Sequence, residues 1–183
     1  MAKNEKKVIR YATATSEDEL QQILSLQRAN LPTSVSPKER EKEGFVTVVH
    51  TFEILKAMND VFPHIIAKLG EQVVAYALCM HPKFANDIAI LKPMFDEVDI
   101  ITPSIINYIA MGQICVDKNF RKQGIFRKLY ETMQSVTQPS FESIITEIDA
   151  SNTRSLQAHY AIGFKELKTY QSGGQMWKIV SLA

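Results

Sequence analysis

The stretch Ile114-Cys115-Val116-Asp117-Lys118-Asn119-Phe120-Arg121-Lys122-Gln123-Gly124-Ile125-Phe126-Arg127 carries an apolar strand through a short basic loop into an amphipathic helix. That order suits a phosphate. The first turn of a helix has backbone N–H groups with no intrahelical partner and roughly half a positive charge of dipole, so an anion placed there is stabilised. Arg121, Lys122, Arg127 and Lys128 crowd the same end, where the dipole disfavours cations, and a bound polyanion would neutralise them. A solvated basic helix start is the plainer reading of the same charges.

A second block lies downstream. Glu147-Ile148-Asp149-Ala150-Ser151-Asn152, then Ser155, His159 and the pair Gly163-Phe164, reads as a strand, an Asn-started helix and a glycine exit. Together the two blocks resemble the GNAT superfamily of N-acetyltransferases. Its pyrophosphate loop follows a strand ending in Val and reads Arg or Gln, two residues, Gly, one residue, then Gly or Ala. Here Val116 closes the strand, Arg121 opens the loop and Gly124 holds the glycine position, while Phe126 replaces the small residue. Two blocks in this order are more specific than one glycine loop.

The resemblance implies an α/β fold, with a mixed central sheet of about six or seven strands, helices on both faces and splayed parallel central strands. It also implies acetyl-CoA as cosubstrate. The backbones of Ile114, Cys115 and Val116 would pair with the pantetheine arm as if it were another strand. Arg121 and the N–H groups of Lys122, Gln123, Gly124, Ile125, Phe126 and Arg127 would hold the pyrophosphate, with Asn152 and Ser155 beside the cofactor. His159 stands where the family most often carries the Tyr that protonates the departing thiolate, and Glu147 where some members place a carboxylate base.

Read as residues alone, each has a plainer explanation. Ile114 to Val116 fits a buried strand, and Cys115 a small core residue rather than a nucleophile. Asn152 is a natural N-cap. A lone His such as His159 is usually structural or solvated, and Glu147 and Asp149 also read as solvated or capping acids near a strand end. Tyr160, one helical step from His159, is expected to turn toward Leu156 and the core. Phe126 shares a helical stripe with Tyr130 and Met133, so its ring is expected to point inward while its N–H faces the loop.

Composition sets bounds on these readings. A chain of 183 residues with 45% hydrophobic content suits a single domain spanning 1–183. A formal net charge of +1, spread along the chain, argues against a nucleic-acid partner held by bulk electrostatics. Cys79 and Cys115 sit in apolar runs, and the first residues have no apolar stretch behind them, so a reducing, cytoplasmic compartment is expected. The apolar run at 98–116 is broken by Asp99, Pro103, Asn107 and Gln113, which excludes a membrane span there. His50, His64 and His81 lack the spacing of metal ligands, so no metal is expected.

The remaining segments alternate. Val8 to Ala14 reads as a strand, and Ser16 with Glu19 as a capping box opening a helix that Pro32 ends. Ser36-Pro37 with Glu39 marks a second short helix, Phe45 to His50 a strand or a lead into the Phe52 to Val61 helix. His64 to Leu69 and Gln72 to Met80 form a hairpin turning at Gly70. The stretch Phe84 to Asn107 is longer than the family needs; its apolar Ile88, Leu91, Met94, Phe95 and Val98 would wall the acceptor site, form a subunit contact, or patch the hairpin. After strand Tyr108 to Val116 come helix Ile125 to Val136, strand Ser143 to Ala150, helix Thr153 to Ile162, and closing strands Phe164 to Gln171 and Gln175 to Ser181.

The functional expectation is direct transfer of an acetyl group from acetyl-CoA to a primary amine of a small molecule or protein, with a homodimer compatible. The alternative is a non-catalytic CoA-binding regulatory or interaction module on the same fold.

Overall fold

Ser16 sets the first helix. In the computed structural model, which describes residues 8–31, 33–34, 36, 38, 46–101 and 107–183, the Ser16 side chain accepts from the Glu19 amide and the Glu19 carboxylate accepts from the Ser16 amide. This capping box joins β1 (Ile9–Thr13) to α1 (Glu17–Ala29). Of the short helix expected from Ser36-Pro37 with Glu39, Pro37 and Glu39 lie outside the described residues. Residues 46–50 form no strand, although Val46, Val48 and His50 are buried and Thr47 and Val49 exposed. α2 (Phe52–Val61) comes next, then β2 (Ile65–Leu69) and β3 (Gln72–Met80), turning on Gly70 at φ 64°.

α3 (Lys92–Ile101) lies within the long stretch before β4 (Tyr108–Val116). It buries Met94, Phe95 and Val98 in the same core as Leu20, Ile23 and Leu55 of α1 and α2, and its Glu97 pairs with Lys168 of the strand β6 (Lys165–Ser172). α4 (Ile125–Thr137), β5 (Ser143–Asp149), α5 (Thr153–Tyr160) and β7 (Gln175–Leu182) complete the chain. α4 and α5 pack on the opposite face, where Leu129, Met133 and Leu156 meet Ala77, Ile109 and Ile144. Each fully buried Leu or Ile contributes roughly 1.5–3 kcal/mol, so an apolar face on both sides commits the sheet to the middle layer.

The seven strands run in the order β1-β2-β3-β4-β5-β7-β6. β4 and β5 are the one parallel pair among the described strands. Their pairing covers only Tyr108↔Ser143, Ile109↔Ile144 and Ala110↔Ile145, although β4 continues to Val116 and β5 to Asp149, so the strands part toward their C-terminal ends. A bulge helps part them. Opposite β3, Ala77 faces Ile114 and Cys79 faces Met111, so β4 carries one extra residue there. An extra residue bends a strand and reverses the facing of the side chains beyond it. Gln113 thereby turns toward α1, where it bonds Gln27.

Candidate functional site

Two left-handed residues shape the loop before α4. Lys122 has φ 62° and Gly124 φ 78°, a region that L side chains rarely enter. A Cβ built on Gly124 meets nothing within 4 Å. The glycine is there for its backbone conformation, and the space beside it is open. Gly124 caps α4, so the helix's unpaired amides and positive dipole end face that space.

The expectation that the surrounding cations await a polyanion is corrected in part. Arg127 Nη2 donates to the Ala161 carbonyl at 2.8 Å, and Lys128 pairs with Glu131 at 2.6 Å. Arg127 thus serves the C-terminal end of α5, where the helix dipole favours a cation. Arg121 bridges inward, from Nε to the Val116 carbonyl at 3.1 Å and from Nη2 to Asn30 Oδ1 at 2.7 Å.

A cavity of about 320 Å³ lies against this loop, bordered by Val116, Arg121, Gly124, Phe126, Asn152 and Ser155. A second, of about 120 Å³, opens where β4 and β5 part. The two share Val46, Ile114, Asn152 and Ser155 and form one groove. Its charge is divided. The charged side chains bordering the loop half are Arg121, Lys122 and Arg154, and those bordering the strand half are Glu147 and Asp149. A polyanion fits the first half and an amine the second.

Among the residues picked out from the sequence, Ile114, Cys115, Val116, Ile125 and Phe126 all reach the loop half. Burial pushes the Cys115 thiol up to about 12, so it stays protonated at neutral pH and is no nucleophile. Gln123 keeps its side chain on the loop itself, donating to the Asn119 carbonyl at 3.4 Å. The Phe126 ring turns onto Tyr130 and His159, with centroids at 5.3 and 5.1 Å, while still bordering the cavity. Asn152 caps α5, its Oδ1 accepting from the Ser155 amide at 3.1 Å, and borders both halves.

His159 is placed differently from the expected proton donor. It is 1% exposed and ringed by Phe126, Tyr130 and Phe164. Nδ1–H donates to the Ser155 carbonyl at 2.7 Å, and the Tyr130 hydroxyl donates to Nε2 at 2.8 Å. Burial pushes its pKa down to about 4. The ring is neutral and both nitrogens are engaged, although the residue borders the strand half of the groove. The reason is long-range: Tyr130 and Phe164 offer an aromatic slot that α5's own sequence does not reveal. Ser155, one turn earlier, borders the groove with its hydroxyl 3.4 Å from His159 Nδ1.

Tyr160 also departs from expectation. It is 40% exposed and donates to Glu166 Oε2 at 3.1 Å, because α5 ends there and β6 lies beside it.

Glu147 borders the strand half of the groove. Burial raises its carboxyl to about 7, against the opposing effect of the hydrogen bond donated by the Tyr170 hydroxyl. Such a group exchanges protons near neutral pH. Asp149 is occupied: Oδ1 accepts from the Ser151 amide at 2.8 Å and hydroxyl at 2.7 Å. Tyr170, Trp177 and residues 46–48 were not singled out in sequence; for Trp177 the inward phase of β7 was the available signal. Among the described residues, no cluster of His, Cys, Asp and Glu could hold a metal ion, and no helix is long and apolar enough to cross a membrane.

No family model matches the chain, and no curated protein matches it in sequence. Solved structures match its fold. The ribosomal-protein-S18-alanine N-acetyltransferase of Escherichia coli aligns over 96% of this chain and 93% of its own, with a TM-score of 0.64 at 11% identity. Arabidopsis thaliana Naa50, in complex with the bisubstrate analogue CoA-Ac-MVNAL, aligns over 96% and 98%, with a TM-score of 0.63 at 13% identity. The ribosomal-protein-alanine N-acetyltransferase of Brucella melitensis covers 96% and 98%, with a TM-score of 0.61 at 21% identity. With its splayed parallel strands and its glycine loop at the start of α4, the chain has the fold of the GNAT N-acetyltransferases.

Proposed function

We propose that the chain is an acetyl-CoA-dependent N-acetyltransferase that passes the acetyl group directly to a primary amine of a protein or small molecule. The observation that carries this reading is the single groove with a basic loop half and an acidic strand half, joined where β4 parts from β5. The pyrophosphate lies on the amides of residues 122–127, and pantetheine runs along the unpaired edge of Ile114 to Val116, whose backbone groups otherwise lack a strand partner on the β5 side. The neighbours support the cosubstrate and the amine: one holds a CoA-peptide bisubstrate analogue, another is an alanine N-acetyltransferase.

Transfer needs a neutral amine, a polarised thioester carbonyl and a protonated leaving thiolate. Glu147 removes the amine proton, directly or through water, since its carboxyl titrates near neutrality. The nitrogen lone pair attacks the carbonyl carbon, backbone N–H groups of β4 steady the oxyanion, and the C–S bond breaks. The second proton, shed by the nitrogen as the amide forms, passes through the Ser155 hydroxyl, which accepts it while giving its own to the sulfur. His159 acts as a positioning residue, holding the Ser155 turn through its Nδ1–H. No covalent enzyme intermediate is required.

The test pairs calorimetric binding of acetyl-CoA with CoA thiol release over a panel of amines that includes peptide N-termini. Release with at least one amine supports the enzyme. Tight binding with no release from any amine would leave the non-catalytic CoA-binding module in its place.

A further inference from the structure

Gln27 of α1 and Gln113 of β4 stand 86 residues apart and meet in the core, Gln27 Nε2 donating to Gln113 Oε1 at 2.9 Å. They are 1% and 7% exposed. The remaining amide groups of this pair reach one segment. Gln27 donates to His50 Nδ1 at 2.8 Å and accepts from the His50 amide at 2.9 Å, while Gln113 donates to the Val48 carbonyl at 2.9 Å. The Tyr76 hydroxyl fills the other site on Gln113 Oε1 at 2.5 Å. At the near end of the same segment, the Val46 amide donates to the Asn30 carbonyl at 3.1 Å, and Asn30 Oδ1 holds Arg121.

Residues 46–50 have no strand ladder, so these bonds to α1 and to the β4 bulge fix their place. Val46, Thr47 and Val48 border the strand half of the groove together with Glu147 and Trp177. The bulge is what makes the arrangement possible: without the extra residue in β4, Gln113 would fall on the opposite side of the sheet. In this buried polar network only His50 Nε2 lacks a partner among the described residues; matched groups of this kind specify one geometry, and losing one member leaves the others unmatched.

We propose that the Gln27–Gln113 pair positions the acceptor, holding segment 46–50 as a wall of the strand half of the groove and so setting affinity for the amine substrate. The proposal rests on the N-acetyltransferase reading above. Gln27 is a positioning residue that acts through Gln113 and segment 46–50, while Gln113 also borders the strand half of the groove itself. Acetyl-CoA affinity rests on residues 114–116 and 121–127 and should change less than acceptor affinity.

The experiment compares wild type with Gln27→Leu, Gln113→Leu and Gln113→Asn. For each, acceptor KM, kcat, the acetyl-CoA Kd and amide exchange at His50 are measured. Asn keeps the amide chemistry on an arm too short to reach both Gln27 and Val48, so it serves if a Leu variant fails to fold. Expected is a rise in acceptor KM of about tenfold or more, with kcat and acetyl-CoA Kd within about threefold of wild type. Exchange at His50 should quicken in Gln27→Leu, which loses the acceptor of that amide. Unchanged acceptor KM in a folded variant overturns the proposal, as does a parallel rise in acetyl-CoA Kd, which marks general damage. Wild type that turns over no amine defeats the enzymatic reading and this proposal with it; wild type that turns over while the variants keep their KM defeats this proposal alone.

Discussion

Replacing Glu147 with Gln should separate the energetic cost of that side chain from its chemistry. Burial raises the carboxyl from 4.5 to about 7. The folded chain therefore binds this proton more tightly than the unfolded chain. Its contribution to stability is fully present below the unfolded value and is lost as pH rises through 7. A shift of this size corresponds to about 3 kcal/mol once the group is fully ionised, as an order of magnitude. Gln has nearly the same shape and no charge to bury. Relative to wild type, Glu147→Gln should thus be more stable at pH 8 than at pH 5, by an amount approaching that figure. Urea unfolding of both proteins at the two pH values measures it, and the buried histidines, present in both, cancel in the difference. Turnover should fall by roughly 10²- to 10⁴-fold if Glu147 is the base, while wild-type kcat/KM should rise with pH through about 7. A stability difference that is the same at both pH values would show that Glu147 ionises without penalty. Unimpaired turnover would remove it as the base.

Gly124→Val should weaken acetyl-CoA binding by at least tenfold in calorimetry, because φ 78° strains a β-branched residue by about 1–2 kcal/mol and the new side chain enters the open space beside the loop. Unaltered affinity would make the loop a turn only. His159→Phe removes the acceptor of the buried Tyr130 hydroxyl and should cost about 1–3 kcal/mol in urea unfolding, with a turnover loss under about tenfold; a 10²-fold loss would return the proton-donor role to His159. His50, His64 and His159 all lie at about 4 in the folded chain against 6.5. The stability they contribute is present above 6.5 and is lost as pH falls through 4, so near pH 5 the three histidines should take up almost three protons on unfolding while Glu147 releases most of one, a net uptake of about two that should rise by most of one in Glu147→Gln, measurable from the buffer dependence of the unfolding enthalpy.

Local patterns were legible. The Ser16 and Glu19 spacing foretells a capping box because both partners lie within one helical turn. The run from Ile114 to Arg127 foretells a strand, a loop and a helix because apolar period and glycine change together. Legibility ended where partners are far apart in sequence. Arg127 and Lys128 looked like cations in search of an anion, yet one caps α5 and the other pairs with Glu131. Asn152, Ser155 and His159 looked like one polar stripe. All three do border the strand half of the groove, but the Tyr130 hydroxyl and the Ser155 carbonyl engage both imidazole nitrogens. Gln27 and Gln113 gave no signal at all, since an amide reads the same in a core as on a surface until its partners are known. The long stretch before β4 was expected to wall the acceptor site, join subunits or patch the hairpin; its helix α3 buries Met94, Phe95 and Val98 in one core cluster with Ile66, Tyr76 and Leu78 of the hairpin and ties to β6.

That tie bears on colloidal behaviour. β6 ends the sheet, and an outermost strand presents a row of backbone donors and acceptors on which another chain could grow. Lys165, Glu166 and Lys168 stand within its first four residues. Glu166 is bonded to Tyr160 and Lys178, and Lys168 is fastened to Glu97 of α3. An incoming strand would have to strip water from this charged end beside a helix already in place. Replacing Lys165 and Lys168 with Val would leave the groove untouched and turn the edge of the sheet into a template for fibres.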